Sequence, residues 1–148
     1  MLDKFEGRII FYTGILLSIF LVGLIYAVTE RNVNVPSCIP YDKPFTQGRI
    51  VQIDSNTYQV FYMAKMWAFD PAEVRLPVGS KVDFYLTSGD VVHGFMINTK
   101  NINMAAIPGA LNKTSATFDK PDIYRVTCNE YCGAGHQSMQ SEIIVNYK

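Results

Sequence analysis

The feature that most constrains this chain is an uncharged apolar run near its N-terminus. Residues Ile9 to Val28 read IIFYTGILLSIFLVGLIYAV, twenty residues without a charged side chain. At about 1.5 Å per residue, a helix of this length matches the roughly 30 Å hydrocarbon core of a bilayer. A cleaved secretory signal is the alternative, but its apolar region would be only about 7 to 15 residues and would end in an A-x-A-like site. Neither condition is met, so we predict an uncleaved transmembrane anchor over residues 1–30.

Charge gives less information than hydropathy. Lys4 and Arg8 precede the apolar run and Arg31 follows it, which leans toward a cytoplasmic N-terminus under the positive-inside rule. The whole chain has 13 lysines and arginines against 13 aspartates and glutamates. This balance gives no bulk attraction to nucleic acid, so we predict a membrane partner and no nucleic-acid partner.

A connector is predicted after the anchor. Residues 31–48 carry three prolines, Pro36, Pro40 and Pro44, and no sustained periodicity, as expected of a linker between an anchor and a folded head. Cys38 lies in this stretch and is interpreted as an unpaired thiol. The head is predicted to cover residues 49–148.

The head reads as a series of short strands separated by turn signals such as Ser88-Gly89-Asp90. Alternation is clear in Ser80–Ser88, where Val82, Phe84 and Leu86 share one face. No helix is convincing after residue 30. We therefore predict an all-β fold, a Greek-key sandwich or barrel, behind one N-terminal transmembrane helix. The predicted strands are RIVQI, TYQVFYMAKMWAF, EVRL, SKVDFYLTS, VVHGFMI, TSATF, DIYRVTC and SEIIVNY.

The densest chemistry lies in one loop near the C-terminus. The segment CNEYCGAGHQSM contains two thiols, an imidazole and a thioether, from Cys128, Cys132, His136 and Met139. The chain's other histidine, His93, lies in a predicted strand far upstream. Thiolates and thioethers select soft Cu(I), imidazole accepts either oxidation state of copper, and a weak methionine ligand is typical of electron-transfer copper sites. Zinc would not need the methionine.

The second thiol has to be explained, because a mononuclear blue-copper site uses one cysteine. Cys128 and Cys132 could bridge two coppers, so that each metal receives two sulfurs, one imidazole and one weak donor. The remaining weak donor would be a backbone carbonyl in the middle of the C-x-x-x-C span, at Glu130. We predict a dinuclear copper site.

The string C-N-E-Y-C-G-A-G-H-Q-S-M, with V-H-G-F some 35 residues earlier, closely resembles the dinuclear copper (CuA) signature of cytochrome c oxidase subunit II. The resemblance covers nearly the whole chain and is closest to the short, single-helix form found in bacterial B-type haem-copper oxidases. It implies a cupredoxin-like head. It also implies that Cys128 and Cys132 bridge both coppers, and the other ligands it implies are His93 with Met139 on one copper and His136 with the Glu130 carbonyl on the other.

The same resemblance implies a role and a location. The head would lie on the periplasmic or outer side of the cell membrane, accept single electrons from a cytochrome c, and pass them to haem in the catalytic subunit I, which reduces oxygen. In long-form relatives the acidic side chain at this position approaches a magnesium ion, so a magnesium ion near Glu130 is a further expectation. Trp67, the only tryptophan, lies in an aromatic run that in relatives contributes to the electron-entry surface, and a half-buried core position is its alternative.

Three other functions fit parts of this pattern. An anchored thiol-redox protein or copper chaperone would also have one helix and a C-x-x-x-C motif, but such proteins alternate helices with strands and usually have a proline where Gly133 stands. A quinol oxidase subunit of the same fold lacks the copper ligands. A nitrous-oxide-reductase copper domain comes with a large propeller, for which 148 residues leave no room.

Overall fold

The computed structural model describes residues 3–30, 37–39 and 45–147. The chain divides into two compact units, Met1–Val33 and Asn34–Lys148. Most of the predicted connector 31–48 lies outside the described residues. Within it, Ser37–Ile39 forms a short strand, and the side chain of Cys38 is outside the described part.

The first unit contains one helix, α1 (Lys4–Glu30). Asp3 caps it, since its Oδ1 accepts hydrogen bonds from the backbone N–H groups of Phe5 (2.6 Å) and Glu6 (2.8 Å). The Glu6 carboxylate in turn accepts from the Asp3 N–H (3.1 Å), which completes a capping box with an aspartate as its first residue. The helix buries no residue and its most apolar window has a mean hydropathy of 2.4. Such a helix is long and apolar enough to cross a membrane, and the predicted apolar helix is confirmed.

The second unit is built from eleven strands in the part of the chain that the structure describes. In chain order they are β1 (Ser37–Ile39), β2 (Arg49–Gln52), β3 (Thr57–Lys65), β4 (Ala68–Asp70), β5 (Glu73–Pro77), β6 (Ser80–Ser88), β7 (His93–Ile97), β8 (Ile102–Ala106), β9 (Leu111–Phe118), β10 (Asp122–Thr127) and β11 (Gln140–Asn146). Two 3₁₀ turns, Asn98–Lys100 and His136–Ser138, complete the described elements.

The strands form two sheets. One sheet has the order β1-β9-β6-β3-β2, with β4 pairing on β3, and the other has the order β5-β11-β10-β7-β8. Most pairs are antiparallel, but β3 with β6 and β11 with β5 are parallel. Parallel neighbours need a crossover between the sheets rather than a hairpin, so the chain passes from one sheet to the other.

An aromatic core lies between the sheets. Tyr62, Phe84 and Phe95 are fully buried and their rings lie 5.0 to 6.3 Å apart between centroids. The alternation predicted for β6 is confirmed, because Val82, Phe84 and Leu86 are all completely buried. Burying side chains of this size contributes about 1.5 to 3 kcal/mol each, which gives the head a rigid frame.

Two strand predictions need correction. The predicted single strand TYQVFYMAKMWAF is two strands, because the chain reverses at Met66-Trp67 so that Lys65 pairs with Ala68. Strand β8 was missed, although its alternate residues Ile102, Met104 and Ala106 are buried. Its period-two pattern is short and contains one alanine, so it gives a weak sequence signal.

Candidate metal centre

The loop Cys128–Met139 connects β10 to β11, at the point where their ladder ends with Thr127 opposite Gln140. The backbone N–H of Cys128 donates to the carbonyl of Met139 (3.1 Å) and closes the base of the loop. Both ends of the loop are therefore fixed by the paired strands β10 and β11. A loop held in this way can keep its side chains in place without a bound ligand.

The sulfur and nitrogen donors of this loop converge on Cys132. Its Sγ lies 3.7 Å from the Cys128 Sγ, 3.7 Å from the His136 Nδ1 and 3.8 Å from the Met139 Sδ. Cys128, Cys132 and Met139 are all buried. The two thiols are free, and their separation is far beyond the roughly 2.05 Å of a disulfide bond.

His93 brings a second imidazole to this cluster from β7. The ligand atoms of His93, Cys128 and Cys132 all lie within 4.8 Å of one another. The His93 ring is fully buried, and its Nδ1 has no hydrogen-bond partner among the described residues. A buried polar atom without a partner is costly and calls for an explanation. A metal ligand is such an explanation.

Gly94 allows the loop to approach β7 so closely. A Cβ at this position would lie 2.6 Å from the backbone nitrogen of Asn129 and 2.7 Å from that of Glu130. Any other residue would push the loop away from the strand and His93 away from the thiols. The glycine directly after the histidine is therefore a structural requirement of the site.

Glu130 contributes its backbone to the cluster. Its carbonyl oxygen accepts a hydrogen bond from the Cys128 thiol at 3.2 Å, while the residue as a whole is exposed. Among the described residues, the one group of three or more His, Cys, Asp or Glu ligands is His93, Cys128 and Cys132. The magnesium ion expected near Glu130 therefore stays a prediction.

Trp67 lies against the ligand loop. Its indole Nε1 donates to the carbonyl of Cys132 (3.0 Å), and its ring covers Gly133 and Gly135, where a Cβ would lie 3.1 Å and 2.5 Å from the nearest indole atoms. The side chain is 43% exposed. One face of the indole is packed on the loop and the rest is exposed, so the role of Trp67 in electron entry stays a prediction.

The protonation of the Cys132 thiol is coupled to metal binding. Burial raises the pKa of the Cys132 thiol to about 11, and the neighbouring Cys128 contributes to this rise. A metal would have to displace that proton to bind the thiolate, so metal binding is expected to release protons. Burial opposes the ionisation of Asp90, but hydrogen bonds from His93 and from the backbone of Met66 and Val91 outweigh it and lower the pKa of this carboxyl.

The donor set fits copper. The converging atoms are two cysteine sulfurs, one thioether and two imidazoles, a combination that hard cations such as Mg²⁺ or Ca²⁺ do not use. His93 adds a buried Nδ1 that has no hydrogen-bond partner among the described residues. The residues present therefore fit the group that the sequence predicts.

A family model described as cytochrome c oxidase subunit II, periplasmic domain, matches residues 47–147. This chain belongs to that family. A subunit II family member is a component of an oxidoreductase complex, so the chain is assigned to that class. Its helix and its periplasmic-domain head are consistent with a membrane-anchored subunit II.

Curated relatives agree with this assignment. Cytochrome c oxidase subunit 2 of Thermus thermophilus is 40% identical over 96 residues, which cover 65% of this chain and 71% of the relative. A second subunit 2 sequence from the same species has the same identity, but the match covers 57% of its length. The chain thus spans somewhat more than half to about two thirds of these subunit II sequences.

Solved structures support the fold. A chain in a cryo-EM structure of a heme-copper terminal oxidase dimer is 37% identical, with a TM-score of 0.83 over 97% of this chain and 100% of that chain. The periplasmic domain of subunit II from Bradyrhizobium japonicum is 23% identical, with a TM-score of 0.56 over 60% of this chain and 83% of that domain. The predicted cupredoxin-like all-β fold is confirmed.

Several residues of this subunit II site were not predicted from the sequence. Gly94 and Gly135 stood out only as members of the V-H-G-F and C-N-E-Y-C-G-A-G-H-Q-S-M segments, and Asp90 only as a turn residue. Sequence gives a weak signal for Gly94, since a glycine inside a strand pattern often marks a close backbone approach. For Asp90 the signal would have been an acidic residue three positions before a histidine, which is too common to be informative.

Proposed function

We propose that this chain is the electron-entry subunit of a terminal haem-copper oxidase. It accepts single electrons from a cytochrome c at a dinuclear copper (CuA) centre and passes them to haem in the catalytic subunit I, where oxygen is reduced. The observation that carries the proposal is the convergence of two further sulfur donors and one imidazole on the Cys132 sulfur, together with the buried, unpaired Nδ1 of His93. Family membership supports the same role.

Each donor has a distinct part in holding the metals. The thiolates of Cys128 and Cys132 would be shared by both coppers, His93 and Met139 would complete the ligands of one copper, and His136 with the Glu130 carbonyl would complete those of the other. When bound, the copper pair supplies a one-electron centre whose charge is shared between two metals. The chain's part is to deliver these ligands already in place.

Burial of the ligands favours fast electron transfer. Cys128, Cys132 and Met139 are each less than 10% exposed, and the loop that holds them is closed by the Cys128–Met139 backbone hydrogen bond. Ligands that cannot relax into water change position little when the charge of the site changes. A small rearrangement lowers the barrier for each transfer.

Trp67 is proposed as the point of electron entry. It is the one side chain of the described residues that combines an exposed indole with a direct hydrogen bond to a ligand residue, from its Nε1 to the Cys132 carbonyl. A docked cytochrome c would contact its exposed edge. Electron-transfer encounters of this kind bury little surface, under roughly 1,200 Å².

The membrane arrangement follows from the same role. The apolar helix α1 anchors the chain in the cell membrane with its N-terminus in the cytoplasm, and the head lies on the periplasmic or outer side. Protease treatment of intact spheroplasts is expected to remove the head. Protection of the head until the cells are broken would contradict this orientation.

An anchored thiol-redox protein or copper chaperone is the principal alternative. Reactive cysteines of redox proteins are partly exposed, whereas Cys128 and Cys132 are 8% and 6% exposed. The described part of the head contains no α-helix between its strands, unlike a thioredoxin-like domain. These observations favour the copper centre over thiol exchange.

The test is electron paramagnetic resonance of the full-length chain in detergent, loaded with copper and paired with a copper-to-protein ratio. Two equivalent copper nuclei sharing one unpaired electron are expected to give a seven-line hyperfine pattern, with two coppers per chain. Cys132→Ser should abolish the pair, while Cys38→Ser, which alters the cysteine outside the loop, should leave it intact.

Other spectra would point elsewhere. A four-line signal with one copper per chain would indicate a mononuclear site and contradict the bridging thiolates. A protein that takes up no copper and forms a Cys128–Cys132 disulfide would favour the thiol-redox function. Persistence of the seven-line pattern in Cys132→Ser would remove Cys132 from the ligand set.

A further inference from the structure

The carboxylate of Asp90 connects His93 to the rest of the site. Its Oδ1 lies 2.7 Å from the His93 Nε2 and accepts the backbone N–H of Val91 at 2.6 Å. Its Oδ2 accepts the backbone N–H of Met66 at 2.7 Å. The Ser88 hydroxyl is also within 3.3 Å of Oδ1. Both carboxylate oxygens thus accept a hydrogen bond from a backbone N–H group.

We propose that Asp90 is a positioning residue that fixes both the ring orientation and the tautomer of His93, so that the bare Nδ1 faces the two thiols. This inference rests on the proposed function, because it explains how one of the proposed ligands is prepared for copper. Asp90 itself does not touch the thiols or the metal-facing side of the imidazole.

The chemistry of the two groups determines the tautomer. An ionised carboxylate can only accept hydrogen bonds, so the His93 nitrogen next to it must carry the proton. A neutral imidazole protonated at Nε2 has a free lone pair at Nδ1. That nitrogen is buried and has no partner among the described residues, and a ring nitrogen of His93 lies within 4.8 Å of the Cys128 and Cys132 sulfurs. Because Nε2 already faces the Asp90 carboxylate at 2.7 Å, we infer that Nδ1 is the nitrogen left for the thiols.

A second contact of Asp90 joins His93 to the turn that carries Trp67. The Met66 N–H held by Oδ2 belongs to the turn that carries Trp67, and Trp67 in turn donates to the Cys132 carbonyl. One carboxylate therefore holds both the His93 Nε2 and the Met66 N–H of the turn that carries Trp67. Two acceptor atoms are needed, one for each element.

An amide in place of the carboxylate could satisfy only one of these elements. If the amide oxygen of the Asp90→Asn variant faced His93, its NH₂ group would face the Met66 N–H, donor against donor. If the amide flipped, the NH₂ group would donate to the His93 Nε2 and select the tautomer protonated at Nδ1, whose Nδ1 has no lone pair for a metal. The Asp90→Asn substitution therefore tests the role of the carboxylate while changing the size and shape of the side chain very little.

The experiment reads the tautomer without copper. Full-length protein is labelled with ¹⁵N-histidine, which marks only two imidazoles, and is observed metal-free in detergent at about pH 8, where imidazole is ordinarily neutral. Wild-type His93 is expected to be protonated at Nε2 and bare at Nδ1. In Asp90→Asn we expect a mixed or reversed tautomer and a copper affinity lower by about 10- to 100-fold.

Asp83→Asn is the matched control. Asp83 is also a partly buried aspartate with hydrogen-bond and ion-pair partners, Ser115 at 2.6 Å and Lys113 at 2.9 Å, but it lies on β6 and contacts none of the proposed ligands. It should leave the His93 tautomer and the copper affinity unchanged. An equal loss in both variants would mean that Asp90 acts only through stability and would overturn the inference.

Each remaining outcome of the experiment also supports or overturns the role proposed for Asp90. Wild-type His93 protonated at Nδ1 overturns the inference directly, even if Asp90→Asn fails to fold. A weaker copper site in Asp90→Asn with an unchanged tautomer also overturns it. If the wild type binds no copper pair but shows the expected tautomer, the proposed function fails while the role of Asp90 in orienting His93 stands.

Discussion

Gly135 offers a direct test of how Trp67 shapes the ligand loop. Its backbone has φ −94° and ψ 8°, a conformation open to alanine, so Gly135→Ala adds a methyl group without imposing backbone strain. The new Cβ would lie 2.5 Å from the Trp67 Cδ2 and 2.6 Å from its Cγ. The substitution therefore perturbs one contact, between the loop and the indole.

The size of the effect can be worked out from this contact. Carbon atoms pack at about 3.5 to 4.0 Å, so the indole has to withdraw by about 1 Å. Because Trp67 is 43% exposed, it can tilt toward solvent rather than distort the core, and the main loss is its hydrogen bond to the Cys132 carbonyl. We expect a decrease of about 1 to 2 kcal/mol in the free energy of unfolding.

The measurement is denaturant unfolding of the full-length chain in detergent, followed by the β-sheet circular dichroism signal. Fluorescence is unsuitable because Trp67 is the only tryptophan. In a Trp67→Leu background the cost of Gly135→Ala should fall below about 0.5 kcal/mol. Gly109→Ala is the control, since Gly109 has φ +75° and open space around its Cβ position, and its strain cost should be the same in both backgrounds.

A cost of Gly135→Ala that does not depend on Trp67 would refute the reasoning. So would a cost below about 0.5 kcal/mol in the wild-type background. Either result would mean that the indole does not hold the loop in place.

Two further predictions concern an axial ligand and a surface ion pair. Met139→Leu is nearly volume-conserving at a 2% exposed position and should lower the free energy of unfolding by less than about 1.5 kcal/mol. Two coppers per chain should remain while the midpoint potential shifts. Loss of all copper would contradict the role of Met139 as a weak ligand. Burial opposes the ionisation of Asp83, but hydrogen bonds from Ser115 and Lys113 outweigh it and lower its pKa. The stability difference between wild type and Asp83→Asn, about 0.5 to 1 kcal/mol, should therefore be present above the unfolded-state pKa of about 3.9 and vanish as pH falls through the lower folded-state pKa. Unfolding curves of both proteins at about pH 7 and about pH 2 check the pH dependence of this stability difference. A difference that persists at the acidic pH would contradict the stabilising role of the ionised Asp83.

The sequence predicted the parts of this protein whose signals are local. A charge-free run of twenty residues can hardly be anything but a long apolar helix, and α1 matches it. Strict alternation in β6 indicated which of its side chains are buried. Four soft or borderline ligands within twelve residues indicated a metal loop, because that spacing places all four donors on one short segment.

Features that depend on the pairing of one strand with another were less accessible. The sequence reads as one continuous strand across Met66-Trp67. The chain reverses there instead, because β4 pairs back onto β3. Strand β8 is stabilised by its partner β7 rather than by its own weak pattern. These are cases where tertiary pairing overrides local preference.

By itself, the sequence determined the apolar helix, the all-β class of the head and the identity of the candidate ligands. Only the tertiary structure decided how they meet: His93 is fully buried close to the two thiols, its Nε2 faces Asp90, and Trp67 covers the ligand loop. The physical reason is that each of these depends on distances across separate strands. Composition and spacing identify which groups can bind a metal, whereas packing decides which atom of each group is free to do so.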